Sequence, residues 1–224
     1  MLLYAITSRR LLPGDESARR DALVELARGW ARGGVDLIQV REKDLPLTEL
    51  QGLARRIVEA VRGEDGGKGM PGTRVLVNGP AQVALDAGAD GVHLHAGMGA
   101  NAVLAAQQAY ARVGKEPMVS AACHSPEEIR EANGATEMLF SPVFEKVTGA
   151  NHLRGQGLAA LRAAVELAKP TPVLALGGVT EKNVAACLQA GAAGVAAIRL
   201  FMGDAWRGLI ADGDGRTSSS AVIE

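Results

Sequence analysis

The chain has 224 residues, 47% of them hydrophobic, and a formal net charge of −1 with acidic and basic residues interspersed. This supports one sizeable core, built from Val, Leu, Ile and Ala because aromatics supply only 3% of residues. No basic stripe marks a nucleic-acid surface, no run nears the roughly 18 apolar residues of a membrane span, and two cysteines without CxxC spacing speak against a disulfide framework or a structural zinc site.

The first apolar run, LLYAIT at 2–7, reads as a strand. It is too short for the core of a secretion signal and no basic segment precedes it, so a cytoplasmic protein is expected. A helical pattern over 18–32 follows, ending at Gly33, then a strand at 37–42 (LIQVRE) and a helix at 47–61. An irregular insert at 63–73 reads as a solvated loop. Strand 74–79 (RVLVNG), helix 80–87, strand 91–95 (GVHLH) and helix 101–112 come next. Strand 118–123 (MVSAAC) leads into Ser125-Pro126-Glu127-Glu128, an N-cap, a first-turn proline and an acidic first turn. The helix spans 126–133. Strand 137–143, helix 158–168, strand 172–178 (PVLALGG), helix 181–190 capped by Thr180, strand 194–199 (GVAAIR) and helix 203–211 complete the pattern. Gly33, Gly88, Gly134 and Gly191 stand where helices end and a left-handed residue is wanted.

Eight near-continuously apolar strands alternating with eight helices predict a single (β/α)₈ TIM barrel over 1–211, with a flexible Gly/Ser-rich tail at 212–224. An open doubly wound sheet is the alternative. A barrel places active-site groups at the C-terminal ends of its strands. Strand side chains alternate, so Gln39 and Arg41 share one face, and so do Leu76 and Asn78, His93 and His95, and Ser120, Ala122 and His124. The apolar sets suit the helix layer; the polar sets then point into the barrel or its mouth. All four histidines fall at strand ends or in loops of that face. A zinc site from His93, His95 and His124 lacks conventional spacing.

Two further signals point to an anionic ligand. Gly177 and Gly178 end the seventh strand, where backbone amides can approach a phosphate at a helix N-terminus, and Arg199 opens the loop after the eighth. Arg41-Glu42-Lys43, past the second strand, sets two cations at the same mouth; its bland alternative is a solvated charge run.

The segments LIQVREKDL, VLVNGPAQVALDAGADGVHL, VSAACHSPEE, FSPVFEKVTG, PVLALGGVTEKNV and AGAAGVAAI occur in an order that resembles the thiamine-phosphate synthase and TenI family over roughly residues 2 to 203. The resemblance implies a barrel acting on phosphorylated thiazoles in thiamine biosynthesis. The synthase branch joins a pyrimidine pyrophosphate to a thiazole phosphate with Mg²⁺ held by two carboxylates. Here Gly79 follows Asn78 where that branch has Asp, and Met98 stands where the second Asp is usual. The pyrophosphate-binding Lys after the sixth strand is unmatched, although Thr148 matches its motif and Lys146 lies nearby. Val143-Phe144-Glu145, Arg154-Gly155-Gln156-Gly157 and the His124 position resemble the TenI branch.

The resemblance therefore implies a metal-independent thiazole tautomerase with His124 as general acid/base, and no cofactor. Gln39, Arg41, Lys43, Asn78, His93 and Thr148 are expected to bind substrate, and Gly177, Gly178 and Arg199 its phosphate. Family members often have Ser near Arg199. A synthase using Mg²⁺ and a non-catalytic phosphate-ligand binder are the alternatives. The expected partners are a small phosphorylated thiazole and a second copy in a homodimer, with no nucleic acid or membrane.

Overall fold

A computed structural model describes residues 1–63, 72–148 and 151–211. Eight parallel strands close into a barrel: β1 (Leu2–Ile6), β2 (Leu37–Val40), β3 (Arg74–Val77), β4 (Gly91–Leu94), β5 (Met118–Cys123), β6 (Glu137–Phe140), β9 (Val173–Leu176) and β10 (Gly194–Ala197). Neighbours in sequence pair in parallel, β6 pairs with β9, and β10 closes on β1 through Leu2↔Gly194 to Ala5↔Ala197. The open-sheet alternative is thereby set aside. Between β6 and β9 the chain makes an antiparallel hairpin, β7 (Lys146–Thr148) and β8 (Asn151–Leu153), which lies outside the expected pattern.

The helices are α1 (Glu16–Arg32), α2 (Leu47–Arg62), α3 (Ala81–Asp86), α4 (Gly99–Ala111), α5 (Pro126–Glu131), α6 (Gly157–Ala168), α7 (Val184–Gln189), α8 (Arg199–Met202) and α9 (Trp206–Ala211). None of the described helices is long and apolar enough to cross a membrane.

Alternation sorts the strand side chains into two cores. Ile38, Val40, Val75, Val77, Val92 and Cys123 pack outward against the helix layer. Tyr4, Ile6, Leu37, Leu76, Leu139 and Leu174 fill the barrel interior. The inner set explains why eight short strands make a packed core rather than a pore, and why polar residues one step further along the same faces reach the mouth.

Several end signals hold. Ser125 caps α5 by accepting the Glu128 amide, with Pro126 opening the helix. Gly88, Gly134 and Gly191 are left-handed, with φ of 75°, 89° and 95°. Two differ. Gly33 has φ −83° and the left-handed residue is Gly34, at 85°; a Cβ on Gly33 would come 2.4 Å from the Trp206 ring, so close packing, not dihedral freedom, is what Gly33 supplies. Thr180 does not cap α7: Asn183 stands at the N-cap position without a side-chain bond to the helix, its Oδ1 instead accepting the Thr180 amide at 2.9 Å, and the helix starts three residues later than expected. Residues 64–71 of the insert expected at 63–73, and the tail at 212–224, lie outside the described residues.

Candidate active site

Four strand ends supply the mouth. Gln39, Asn78 and His93 are buried there, Arg41 is half-buried, and Lys43, His95 and His124 are exposed. Burial, then the neighbouring Arg41 charge, lowers the Lys43 pKa, and burial lowers that of Arg41 against the raising effect of Glu42. Two cations held in partial desolvation are primed to take an anion, because binding restores what burial removed.

The residues between them show how the cations are held. Glu42 and Asp44 point the other way, onto Arg9 in the loop after β1. The Arg9 guanidinium donates to Glu42 Oε2 at 2.9 Å, to Asp44 Oδ1 and Oδ2 at 2.8 and 2.5 Å, and to Glu16 at 2.7 Å. The Thr7 hydroxyl donates to Glu42 Oε1 at 2.7 Å and accepts the Arg41 amide at 2.9 Å. This fastening of 41–44 was missed in the sequence, where Arg41-Glu42-Lys43 offered only a mouth cation pair or a solvated run. It engages both carboxylates on Arg9, so that neither Arg41 nor Lys43 has an ion pair among the described residues, although Glu42 still acts on Arg41 at longer range.

His124 extends from the end of β5 with 49% of its side chain exposed. Its Nδ1 lies 3.2 Å from Glu128 Oε2, and its own backbone amide donates to the same oxygen at 2.5 Å. The carboxylate accepts only, so Nδ1 is the donor to Glu128, and in the neutral ring the lone pair is on Nε2. A base oriented by a carboxylate can take a proton and return it. Glu128 was read as part of a helix start; its second role follows from the one-turn spacing that brings it back over His124.

His93 lies deeper. Its Nδ1 is 2.7 Å from Ser120 Oγ, which is 3.0 Å from the Tyr4 hydroxyl, which accepts from Gln39 Nε2 at 3.3 Å. Burial first, then His95, Arg41 and Lys43, push the His93 pKa down to about 3. Ser120 was assigned to the inward face with His124 but given no partner, and Tyr4 was not singled out in the sequence, although it too faces inward.

Gly177 and Gly178 are both left-handed, at φ 92° and 66°. A Cβ on Gly177 would lie 2.7 Å from Pro142 Cα, and one on Gly178 2.6 Å from the Glu145 carbonyl. They are glycines because the exit of β9 runs against the loop after β6. Their position at a helix N-terminus is corrected: α7 begins at Val184, and Asn183 ties the intervening loop by donating to the Gly178 carbonyl at 3.0 Å. Arg199 starts α8 with its side chain exposed.

The two TenI-like segments pack on each other. Gln156 and Gly157 amides donate to the Pro142 and Val143 carbonyls at 2.9 Å, and a Cβ on Gly155 would meet the Phe144 carbonyl carbon at 2.5 Å. Beside them is an open cavity of about 480 Å³ lined by Glu145, His152 and Arg154. His152 pairs with Glu145 in this hairpin region rather than joining Arg41 and His93. The side chains of Lys146 and Thr148 lie outside the described residues; the backbone of both is in β7.

The donor set does not fit Mg²⁺. That ion takes oxygen ligands, mainly carboxylates, and the carboxylates on the loops after β2, β5 and β6 are engaged by Arg9, His124 and His152. Among the described residues no group of three His, Cys, Asp or Glu side chains is arranged to hold a metal.

Comparison with known proteins gives a consistent result. The chain is 35% identical over 226 residues to a putative thiamine-phosphate synthase of Geobacter sulfurreducens, covering 99% of this chain and 92% of that one. It is 38% identical over 208 residues to a thiamine-phosphate synthase of Methanoculleus marisnigri, covering 90% and 88%. The solved thiamine phosphate pyrophosphorylase of Pyrococcus furiosus superposes with a TM-score of 0.70 at 29% identity, over 93% of this chain and 91% of that one. Since the family model described as thiamine monophosphate synthase also matches residues 3–201, the chain belongs to the thiamine monophosphate synthase family.

Proposed function

We propose that the protein acts in thiamine biosynthesis as a metal-independent tautomerase of a thiazole carboxylate phosphate. The observation that carries this reading is the His124–Glu128 pair at the end of β5, on the same face of the barrel as Arg41 and Lys43, whose side chains pair with no carboxylate among the described residues. Nε2 of His124 removes a proton from a ring carbon, and the resulting imidazolium, stabilised by Glu128, returns it at the second position of the conjugated system. Bonds to hydrogen exchange places and nothing is consumed. Arg41 and Lys43 hold the substrate carboxylate; Gly177, Gly178 and the start of α8 at Arg199 take the phosphate. Gln39, Asn78, His93 and Thr148 are assigned to the rest of the substrate.

The second reading is thiamine-phosphate synthase itself, a transferase, and the names of the relatives favour it. Gln39, Arg41, Lys43 and Asn78 suit a pyrophosphate-bearing substrate as well as a carboxylate. Against it stand Gly79 and Met98 at the positions where the synthase branch places its carboxylates.

The two are separated by incubating purified protein with the thiazole carboxylate phosphate tautomer alone, and in parallel with hydroxymethylpyrimidine pyrophosphate, thiazole phosphate and Mg²⁺. Tautomerisation that falls at least a hundredfold in His124→Ala, in line with the loss of a general base, supports the first reading. Thiamine phosphate formation overturns it. Binding without turnover in either arm would mark a non-catalytic binder.

A further inference from the structure

The polar chain beneath the mouth has a direction. Gln39 Nε2 can only donate, so the Tyr4 hydroxyl accepts there at 3.3 Å and its proton is free for Ser120 Oγ at 3.0 Å. Burial, with Glu137 adding to it, raises the Tyr4 pKa and keeps that proton on the phenol. With the Tyr4 proton received, the Ser120 hydroxyl turns its own toward His93 Nδ1 at 2.7 Å. Turning the Gln39 amide over would give Oε1 a partner but strand both N–H groups in the same buried space. Unpaired buried N–H groups are rarer than under-satisfied acceptors, and Oε1 is the atom left without a partner.

The far ring nitrogen is placed differently. His93 is 6% exposed, and among the described residues Nε2 has no hydrogen-bond partner. The fully buried side-chain atoms lacking partners among the described residues are Gln39 Oε1 and Glu137 Oε1; His93 Nε2 is not among them and so keeps some accessible surface. The charged and titratable groups facing the ring are Arg41 and Lys43 from the loop after β2 and His95 just after β4, with Tyr4 of β1 reached through Ser120 of β5. Glu137 of β6 acts on Tyr4.

We propose that His93 is held as its neutral Nε2–H tautomer by the chain Gln39→Tyr4→Ser120, and is presented to the mouth as an uncharged hydrogen-bond donor for an anionic oxygen of the ligand. Tyr4 and Ser120 are then positioning residues for this donor. The ligand class rests on the reading given under Proposed function; the tautomer does not. A neutral donor suits this mouth because two cations already neutralise the ligand's charge, and a donor that does not titrate between pH 5 and 8 keeps its geometry across that range.

The test is ¹⁵N–¹H correlation NMR of the imidazole rings in the full chain between pH 5 and 8. A single neutral Nε2–H form of His93 is expected in the unmodified protein. Ser120→Ala should convert it to a mixture of tautomers, and Ser120→Thr, which keeps the hydroxyl, should retain the single form. An Nδ1–H tautomer or an imidazolium at pH 6 in the unmodified protein overturns the proposal without any variant. So does a tautomer indifferent to Ser120→Ala. In a second arm, saturating thiazole carboxylate phosphate should move the Nε2–H signal downfield. An unmoved signal with ligand bound refutes the donor role. Failure of that ligand to bind refutes the functional reading, while the tautomer assignment is decided by the first arm.

Discussion

Replacing Arg9 with Met tests how the cationic mouth is held. Arg9 and Glu42 are 4% and 3% exposed, so the substitution strands a buried carboxylate. Breaking a buried ion pair from one side costs about 3–5 kcal/mol. Glu42 keeps the Thr7 hydroxyl and the residue 9 amide, at 2.7 and 3.1 Å, which places the loss near the lower end, roughly 3 kcal/mol. The pairs with Asp44 and Glu16 are 32% and 47% exposed on the acidic side and add at most about 1 kcal/mol. Urea unfolding at pH 7 should therefore show a loss of about 3–4 kcal/mol. The double variant Arg9→Met/Glu42→Gln should recover at least about 1 kcal/mol, because the stranded charge is gone.

The pH dependence has a defined sign. The Arg9 hydrogen bonds hold Asp44 well below the usual carboxylate range. A group depressed in the folded state contributes stability above its unfolded pKa, about 3.9, and that contribution is lost as pH falls through the folded value. Arg9→Met should flatten this acid limb. Freed from its anchor, the 41–44 segment should also bind its anionic ligand more weakly, with KM rising about tenfold, or 1.4 kcal/mol. A single variant within about 1 kcal/mol of the parent, or a double variant no better than the single, would refute the reasoning.

The remaining predictions concern the barrel floor and the lost carboxylates. Burial raises the pKa of Glu137, whose Oε1 has no partner, so stability should decline as pH rises above the unfolded carboxylate value of about 4.3. Glu137→Gln should raise the urea midpoint more at pH 8 than at pH 4.5; equal shifts at both would show that the carboxyl ionises as freely folded as unfolded. Gly79→Asp with Met98→Asp should confer Mg²⁺ binding measurable by calorimetry. Gly79 has room for a side chain limited by Leu50 Cδ2 at 3.3 Å, and Met98 is 48% exposed. No Mg²⁺ binding by the folded double variant would show that these two positions do not complete a cation site.

Strand alternation made much of this site legible before any fold was known. Gln39, Arg41, Asn78 and His93 were assigned inward because their apolar neighbours Ile38, Val40, Val77 and Val92 had to face helices, and the outer core is built that way. Two kinds of feature escaped. Tyr4 sits in a run apolar enough to read as plain core, and Ser120, though assigned inward, had no visible partner, because the hydrogen bond that joins them spans 116 residues. The start of α7 was misplaced because the Asn183 side chain folds back onto the Thr180 amide and the Gly178 carbonyl, which holds 178–183 as a loop.

The Arg41-Glu42-Lys43-Asp44 segment joins both cases. Its alternation continues that of β2: Gln39, Arg41 and Lys43 have one parity, Glu42 and Asp44 the other. The parity was in the sequence, but what receives the second set was not, since Arg9 comes into reach only because β1 pairs with β2 in the register Tyr4↔Leu37 to Ile6↔Gln39. A charge run solvated on every side would leave each cation beside its own carboxylate and the mouth nearly neutral. Barrel closure instead draws the acids onto one buried guanidinium, and the separation of charge that an anionic ligand requires follows from that strand pairing.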